Sequence, residues 1–189
     1  MIIAFEGLSC AGKTAVSTEL SIKYPKLILL PEFFVSIKDK VSTDLCIAND
    51  IAKYTYARIL SNRGNHVLMD RSYLSTLVYT YAEGKDKYRH AQSWYEDALN
   101  AKSVGEPDLY IYLRIQPEKS LERAASVNRL NLKYAWYNNT KAAYDKFEES
   151  FDKDQTNLKS TYRKVDVDNI NFKQLVFDVE SIINQFIDL

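Results

Sequence analysis

Glycine and proline are scarce in this chain, five and four residues among 189. Few glycines leave few positions free to adopt positive φ, so the place of each one carries information. Two of the five, Gly7 and Gly12, fall close together. Cysteine and histidine are rarer still. Cys10 and Cys46 cannot build a disulfide framework and lack metal-ligand spacing, and His66 and His90 are too few for a histidine-based metal site. Neither sign of charge is in excess. With 25 basic and 25 acidic side chains the net charge is zero and the pI about 6.7. That excludes a broad non-specific nucleic-acid surface but leaves room for a local cationic pocket. No apolar run approaches the length of a membrane span. Met1 to Glu6 offers neither a basic start nor a long apolar stretch, so a signal peptide is not expected. A soluble cytoplasmic protein is the expectation.

What remains is a globular composition, 46% apolar and 26% charged, in a chain long enough for one domain, residues 1–189, with a real core. Short apolar runs alternate with helical patterns. Strands are expected at Ile2–Phe5, Leu27–Leu30, His66–Met69, Leu109–Ile115 and Lys164–Val167. Helices are expected at Lys13–Tyr24 and at about 41–62, 72–83, 87–101, 117–127 and 133–152. A last helix carries Phe172, Leu175, Val176, Val179, Ile182, Ile183 and Phe186 on one stripe, which reads as core packing. Five strands separated by helices imply right-handed βαβ units, an α/β fold with a parallel sheet flanked by helices on both faces. Ligands of such sheets collect at the carboxyl ends of the strands. That rule selects Gly7–Thr14, Glu32 and Asp70–Arg71.

Gly7-Leu8-Ser9-Cys10-Ala11-Gly12-Lys13-Thr14 fits G-x-x-x-x-G-K-[ST], between a strand and a helix as the motif requires. Successive backbone N–H groups from Gly7, Ser9, Cys10, Ala11, Gly12, Lys13, Thr14 and Ala15 can wrap phosphate oxygens, and the next helix presents its positive end. Lys13 supplies a mobile cation for the β and γ phosphates. Thr14 can place its hydroxyl on Mg²⁺, which retains water or phosphate oxygens as its other ligands. A nucleophilic Cys10 is not expected, since no histidine is nearby in sequence.

Asp70 at the third strand end can orient Mg²⁺ through a water, and Arg71 offers a planar fork to an acceptor or to bridging phosphates. The structural alternative is a salt-bridged helix start capped by Ser72. Glu32, after Pro31, can take a proton from a substrate hydroxyl or hold a substrate. Phosphoryl transfer also needs cations over the transferring group and exclusion of water. Arg123 and Arg129 flank a polar stretch and could ride on a lid at about 123–134; solvated surface arginines are the alternative. Phe33, Tyr54 and Tyr73 are candidates to stack on a nucleobase, against the alternative of core aromatics.

Taken together, these residues resemble the thymidylate kinase and deoxynucleoside kinase superfamily over nearly the whole chain. Phe5-Glu6-Gly7 is similar to the start of thymidylate kinases. Asp70-Arg71-Ser72-Tyr73-Leu74-Ser75 follows their Asp-Arg-x-x-x-Ser pattern. Pro107-Asp108-Leu109-Tyr110-Ile111-Tyr112-Leu113, then Pro117-Glu118 and Leu121-Glu122-Arg123, is similar to their fourth strand and next helix. The resemblance implies a P-loop kinase fold with a small helical lid, ATP and Mg²⁺ as donor and cofactor, and a homodimer built from helices. It has departures. Ser9 stands where thymidylate kinases often carry an Asp. Asn49 and Asp50 stand near their acceptor-gripping Arg, and the next arginine, Arg58, is two turns on. Deoxynucleoside kinases read the base with a Gln on that helix, and no Gln occurs between Phe33 and Ala91.

The expectation is an ATP-dependent phosphotransferase acting on a nucleoside monophosphate, with Arg58, Arg71, Glu32 and the aromatics around the acceptor. A deoxynucleoside kinase with Glu32 as base, a kinase of another small hydroxylated metabolite, and a nucleotide-binding protein without transfer activity stay open. No Asn-Lys-x-Asp run for guanine occurs.

Overall fold

In the computed structural model, described over residues 1–34, 42–127, 134–152 and 161–188, the apolar runs become a parallel sheet. The strands are β1 (Ile2–Glu6), β2 (Leu27–Leu30), β3 (His66–Asp70), β4 (Leu109–Arg114) and β5 (Thr161–Asp166), in the order β2-β3-β1-β4-β5. Every neighbouring pair is parallel. The helices are α1 (Lys13–Lys23), α2 (Thr43–Asn62), α3 (Tyr73–Glu83), α4 (Lys85–Asn100), α5 (Pro117–Ser126), α6 (Tyr134–Asp152) and α7 (Phe172–Ile183).

Helices on both faces explain the unbroken apolar strands, since a strand covered on both sides has no polar face. All of β1 is buried, as are Val67, Leu68 and Met69 of β3 and Leu109–Leu113 of β4. A second apolar cluster joins α2, α3 and α4 through Ile47, Tyr73, Leu77, Ala91, Tyr95, Ala98 and Val104. Caps fix where helices start. Ser42 Oγ accepts from Leu45 N at 3.2 Å, Ser72 Oγ from Leu74 N at 3.2 Å and Asn171 Oδ1 from Gln174 N at 3.0 Å.

Two expectations shift. β5 starts at Thr161 rather than Lys164, pairing from Leu109↔Thr161 to Arg114↔Asp166. It is an edge strand whose Arg163, Lys164 and Asp166 are exposed, so an apolar-run reading misses its first half. In the last helix Leu175, Val179 and Ile183 are buried, whereas Phe172 is exposed and Phe186 follows the helix end. The register matters most for chemistry. Phe5 lies beside Asp70, Glu6 beside Tyr112 and Leu30 beside Met69. Gly7, Glu32 and Arg71 therefore leave one edge of the sheet together.

Candidate active site

The loop after β1 turns tightly because its glycines allow it. Gly7 has φ +135°, and a Cβ there would overlap the Leu113 carbonyl oxygen of β4; Gly12 has φ +102° and stands at the start of α1. Lys13 Nζ donates to Gly7 O at 3.0 Å and Leu8 O at 2.8 Å, curling back over the loop. Burial, then the Arg71 guanidinium, lowers the Lys13 ammonium to about 7. The loop is braced from the far side. Ser120 Oγ donates to Ser9 O at 2.5 Å, and Arg123 donates to Cys10 O at 3.4 Å and Val167 O at 2.6 Å.

At the end of β3, Thr14 Oγ1 donates to Asp70 Oδ2 at 2.5 Å. The second Asp70 oxygen, Oδ1, is buried and has no hydrogen-bond partner among the described residues. A hydroxyl and an orphaned carboxylate oxygen side by side are hard donors of the kind Mg²⁺ takes.

Arg71 follows with φ +68°, a strained value for a side-chain-bearing residue. Its Nε lies 2.7 Å from Glu32 Oε1, and Nη1 donates to Gly7 O at 2.9 Å and Ser75 Oγ at 3.2 Å. The buried Glu6 carboxylate holds this turn in place. Its Oε1 accepts from Ser72 N at 2.8 Å and Ser72 Oγ at 2.7 Å. Its Oε2 accepts from Ser75 Oγ and from Tyr144 OH at 3.0 Å. Burial alone would raise the Glu32 carboxyl, but Arg71, Lys13 and Lys53 bring it below its ordinary value, so Glu32 is ionised at neutral pH.

Two clefts meet here. One, of about 460 Å³, is lined by the phosphate loop, Arg123, Glu32 and Arg71. The other, of about 640 Å³, runs between α2, α3 and the start of α4, and is also lined by Glu32 and Arg71. The α2 wall is a stripe of Cys46, Asn49, Asp50 and Lys53 at helical spacing. Lys53, fully buried, donates to Glu32 O at 3.1 Å and Asp70 O at 2.9 Å, tying the ends of β2 and β3 together. Asn49 donates to Glu32 O at 3.0 Å and accepts from Phe34 N at 2.6 Å. Burial lowers the Lys53 ammonium and raises the Asp50 carboxyl, each opposed by the other's charge.

The thymidylate kinase family model matches residues 37–169. The chain is 31% identical to a probable thymidylate kinase of Sulfolobus acidocaldarius over 65% of this chain and 68% of that one. It is 28% identical to a probable thymidylate kinase of Archaeoglobus fulgidus over 69% and 72%. It belongs to the thymidylate kinase family. It is a nucleotide kinase. Among solved structures, deoxyadenosine kinase from M. mycoides with bound dATP matches with a TM-score of 0.71 at 16% identity, covering 97% of this chain and 99% of that one. Thymidylate kinase from Candida albicans matches at 0.70 and 19%, covering 97% and 91%. At such identities these structures speak for the P-loop kinase fold. The family match begins after the phosphate loop, so that loop rests on its own residues and geometry.

For this thymidylate kinase family member, the fold brings Gly7–Ala15, Glu32, Asp70 and Arg71 to one place, with Phe33 on the second cleft. Three expected acceptor residues are elsewhere. Tyr54 and Arg58, one helical turn apart on α2, line neither cleft. The Tyr54 hydroxyl packs against Gly105, and Arg58 Nη1 donates to Lys102 O at 3.3 Å. Tyr73 packs its ring 5.2 Å from that of Tyr95 and donates to Glu106. Tyr54 and Tyr73 are packing residues, which is the usual fate of an aromatic on a helix. Arg123 reaches the first cleft from the last turn of α5 and is engaged with backbone carbonyls. Arg129, and residues 128–133 of the lid expected at about 123–134, lie outside the described residues. Sequence reasoning missed Lys53 and the anchoring part played by Glu6. A polar stripe at 46, 49, 50 and 53 on a long helix was the available signal.

Proposed function

We propose that this nucleotide kinase transfers the γ-phosphoryl group of Mg-ATP to a nucleoside monophosphate, the two substrates meeting at Glu32 and Arg71. The observation that carries this is the Glu32–Arg71 ion pair, which lines both the phosphate-loop cleft and the second cleft. In this reading the triphosphate lies on the loop amides, and Lys13 leaves the Gly7 and Leu8 carbonyls to neutralise its β and γ oxygens. Thr14 and Asp70 would hold Mg²⁺, which supplies charge neutralisation across the phosphates when bound. An acceptor phosphate oxygen attacks the γ phosphorus, the bond to the β–γ bridging oxygen breaks, and ADP leaves. Arg71, fixed by Gly7 and Ser75, orients that phosphate with a planar fork. A homodimer belongs to this reading, with exposed Tyr56 and Ile59 of α2 as its apolar contacts.

A second reading has its own support. The ionised Glu32 also reaches the second cleft, and the α2 wall carries Asn49 and Asp50 where an arginine would grip a phosphate. That suits a nucleoside hydroxyl, with Glu32 as its general base. ADP release from Mg-ATP, measured against the common nucleosides and their monophosphates, tests both. Turnover of a monophosphate with only a mild loss in Glu32→Gln supports the first. Turnover of a nucleoside with collapse of kcat in Glu32→Gln supports the second. No turnover with any acceptor defeats both.

A further inference from the structure

Several hydrogen-bond donors of the α2–α3 wall of the second cleft are spent on the protein itself. Asn49 and Lys53 donate to backbone carbonyls at the ends of β2 and β3. Thr80 Oγ1 donates to Thr76 O at 2.8 Å and Leu77 O at 3.0 Å within its own helix. Thr76 Oγ1 and Tyr95 OH donate to Asp50, at 2.7 and 2.5 Å. At the rim, Lys87 pairs with Glu83 at 2.6 Å and His90 with Asp44 at 2.9 Å.

Asp50 is different. Its side chain belongs to a residue only 5% exposed, and both donors go to the same oxygen, Oδ2. Among the described residues the other oxygen, Oδ1, accepts no hydrogen bond, and it is not among the side-chain atoms sealed from solvent. It lines the cleft. Burial raises the Asp50 carboxyl, and the charge of Lys53 and the two hydroxyl donors oppose that rise. A carboxylate oxygen so placed has one use for a ligand: it accepts a hydrogen bond, and it repels an acceptor.

We infer that Asp50 is a specificity residue that selects an acceptor whose base carries an exocyclic amino group, cytosine or adenine, over one that carries a carbonyl oxygen there. This rests on the reading of the second cleft as the acceptor site. The amino group of such a base offers its hydrogen to Oδ1. Thymine and uracil place a carbonyl oxygen at that edge, and their ring N–H stands between two carbonyl oxygens that a carboxylate would have to approach. Leaving Oδ1 facing an acceptor forfeits a charge-assisted hydrogen bond in a desolvated place, which is worth at least about a tenfold preference.

The sharpest probe is a pair of acceptors that differ at one edge, dCMP and dUMP, with deoxycytidine and deoxyuridine run alongside. Two readouts are taken: binding by titration calorimetry, and kcat/KM from ADP release. The expected result is dCMP, or deoxycytidine, favoured at least about tenfold over its uracil counterpart. In Asp50→Asn, which can turn an NH₂ group to the cleft, the ratio should collapse or reverse, whereas Asp50→Glu should keep its direction. Thr76→Val and Tyr95→Phe remove donors to Oδ2 but leave Oδ1. They should keep the preference, and they separate it from simple loss of folding, which melting curves report. Equal or better use of the uracil partner by the unaltered protein overturns the inference. So does an unchanged ratio in a folded Asp50→Asn, or binding of neither partner. If cytosine-selective binding is seen without turnover of any acceptor, the inference stands and the proposed transfer fails.

Discussion

The two clefts that share Glu32 and Arg71 are built in opposite ways. The phosphate-loop side is local. Eight consecutive residues, Gly7 to Thr14, supply its amides, cation and hydroxyl, and the conformation follows from two glycines and a helix start. The second cleft, the proposed acceptor side, is assembled from β2, α2, β3 and α3, and its geometry rests on contacts between residues far apart in sequence, such as Lys53 with the carbonyls of Glu32 and Asp70. Backbone recognition of phosphate needs a short motif with little freedom. Recognition of an acceptor uses side chains whose neighbours only the fold determines. The first half should therefore be intolerant of single changes, and the second should be tunable.

Variants can break this contrast. Lys13→Ala removes the one mobile cation of the loop and should lower kcat by about 10²–10³-fold with a small effect on acceptor KM, as loss of a transition-state contact does. Steady-state kinetics with both substrates varied checks it. An equal change in acceptor KM would deny the separation of the halves. Lys53→Met removes a buried donor from two carbonyls. It should cost about 1–3 kcal/mol of stability, seen by denaturant unfolding. It should also lower kcat/KM for the acceptor more than for ATP, because Glu32 loses its anchor.

A smaller effect comes from Lys13 itself. Burial and the Arg71 charge hold its ammonium at about 7, against an ordinary lysine value of 10.5. Below pH 7 both the folded and the unfolded chain carry this proton, so it adds no slope. Between about 7 and 10.5 the unfolded chain binds more protons, and stability of the nucleotide-free protein should rise with pH through that window. Triphosphate favours the charged form, so ATP binding above pH 7 should take up a proton and weaken as pH rises. Calorimetry in buffers of different ionisation enthalpy measures the uptake.

How much of this was legible in the sequence follows the same division. The five parallel strands and the phosphate loop were readable because buried strands are continuous apolar runs and the loop is a contiguous pattern. Glu32, Asp70 and Arg71 were readable because strand ends can be located. The edge strand β5 was half hidden, its Arg163 and Lys164 carrying no apolar signal. Tyr54 and Arg58 were assigned to the acceptor because they lie on the right helix. A turn of about 100° per residue decides which way each one faces, and only the packing of α2 fixes that phase. Lys53 is indistinguishable in the sequence from any other helix lysine, because nothing local reveals that two strand ends converge on its ammonium.

The central claim is that the two clefts are halves of one transfer site joined at Glu32 and Arg71. Titration with a bisubstrate analogue, adenosine linked through a polyphosphate to a nucleoside, tests this most directly. One molecule should bind per chain, more tightly than ATP or the acceptor alone, be displaced by either, and lose that advantage in Arg71→Met. Binding no tighter than ATP, with displacement by ATP only, would contradict the account.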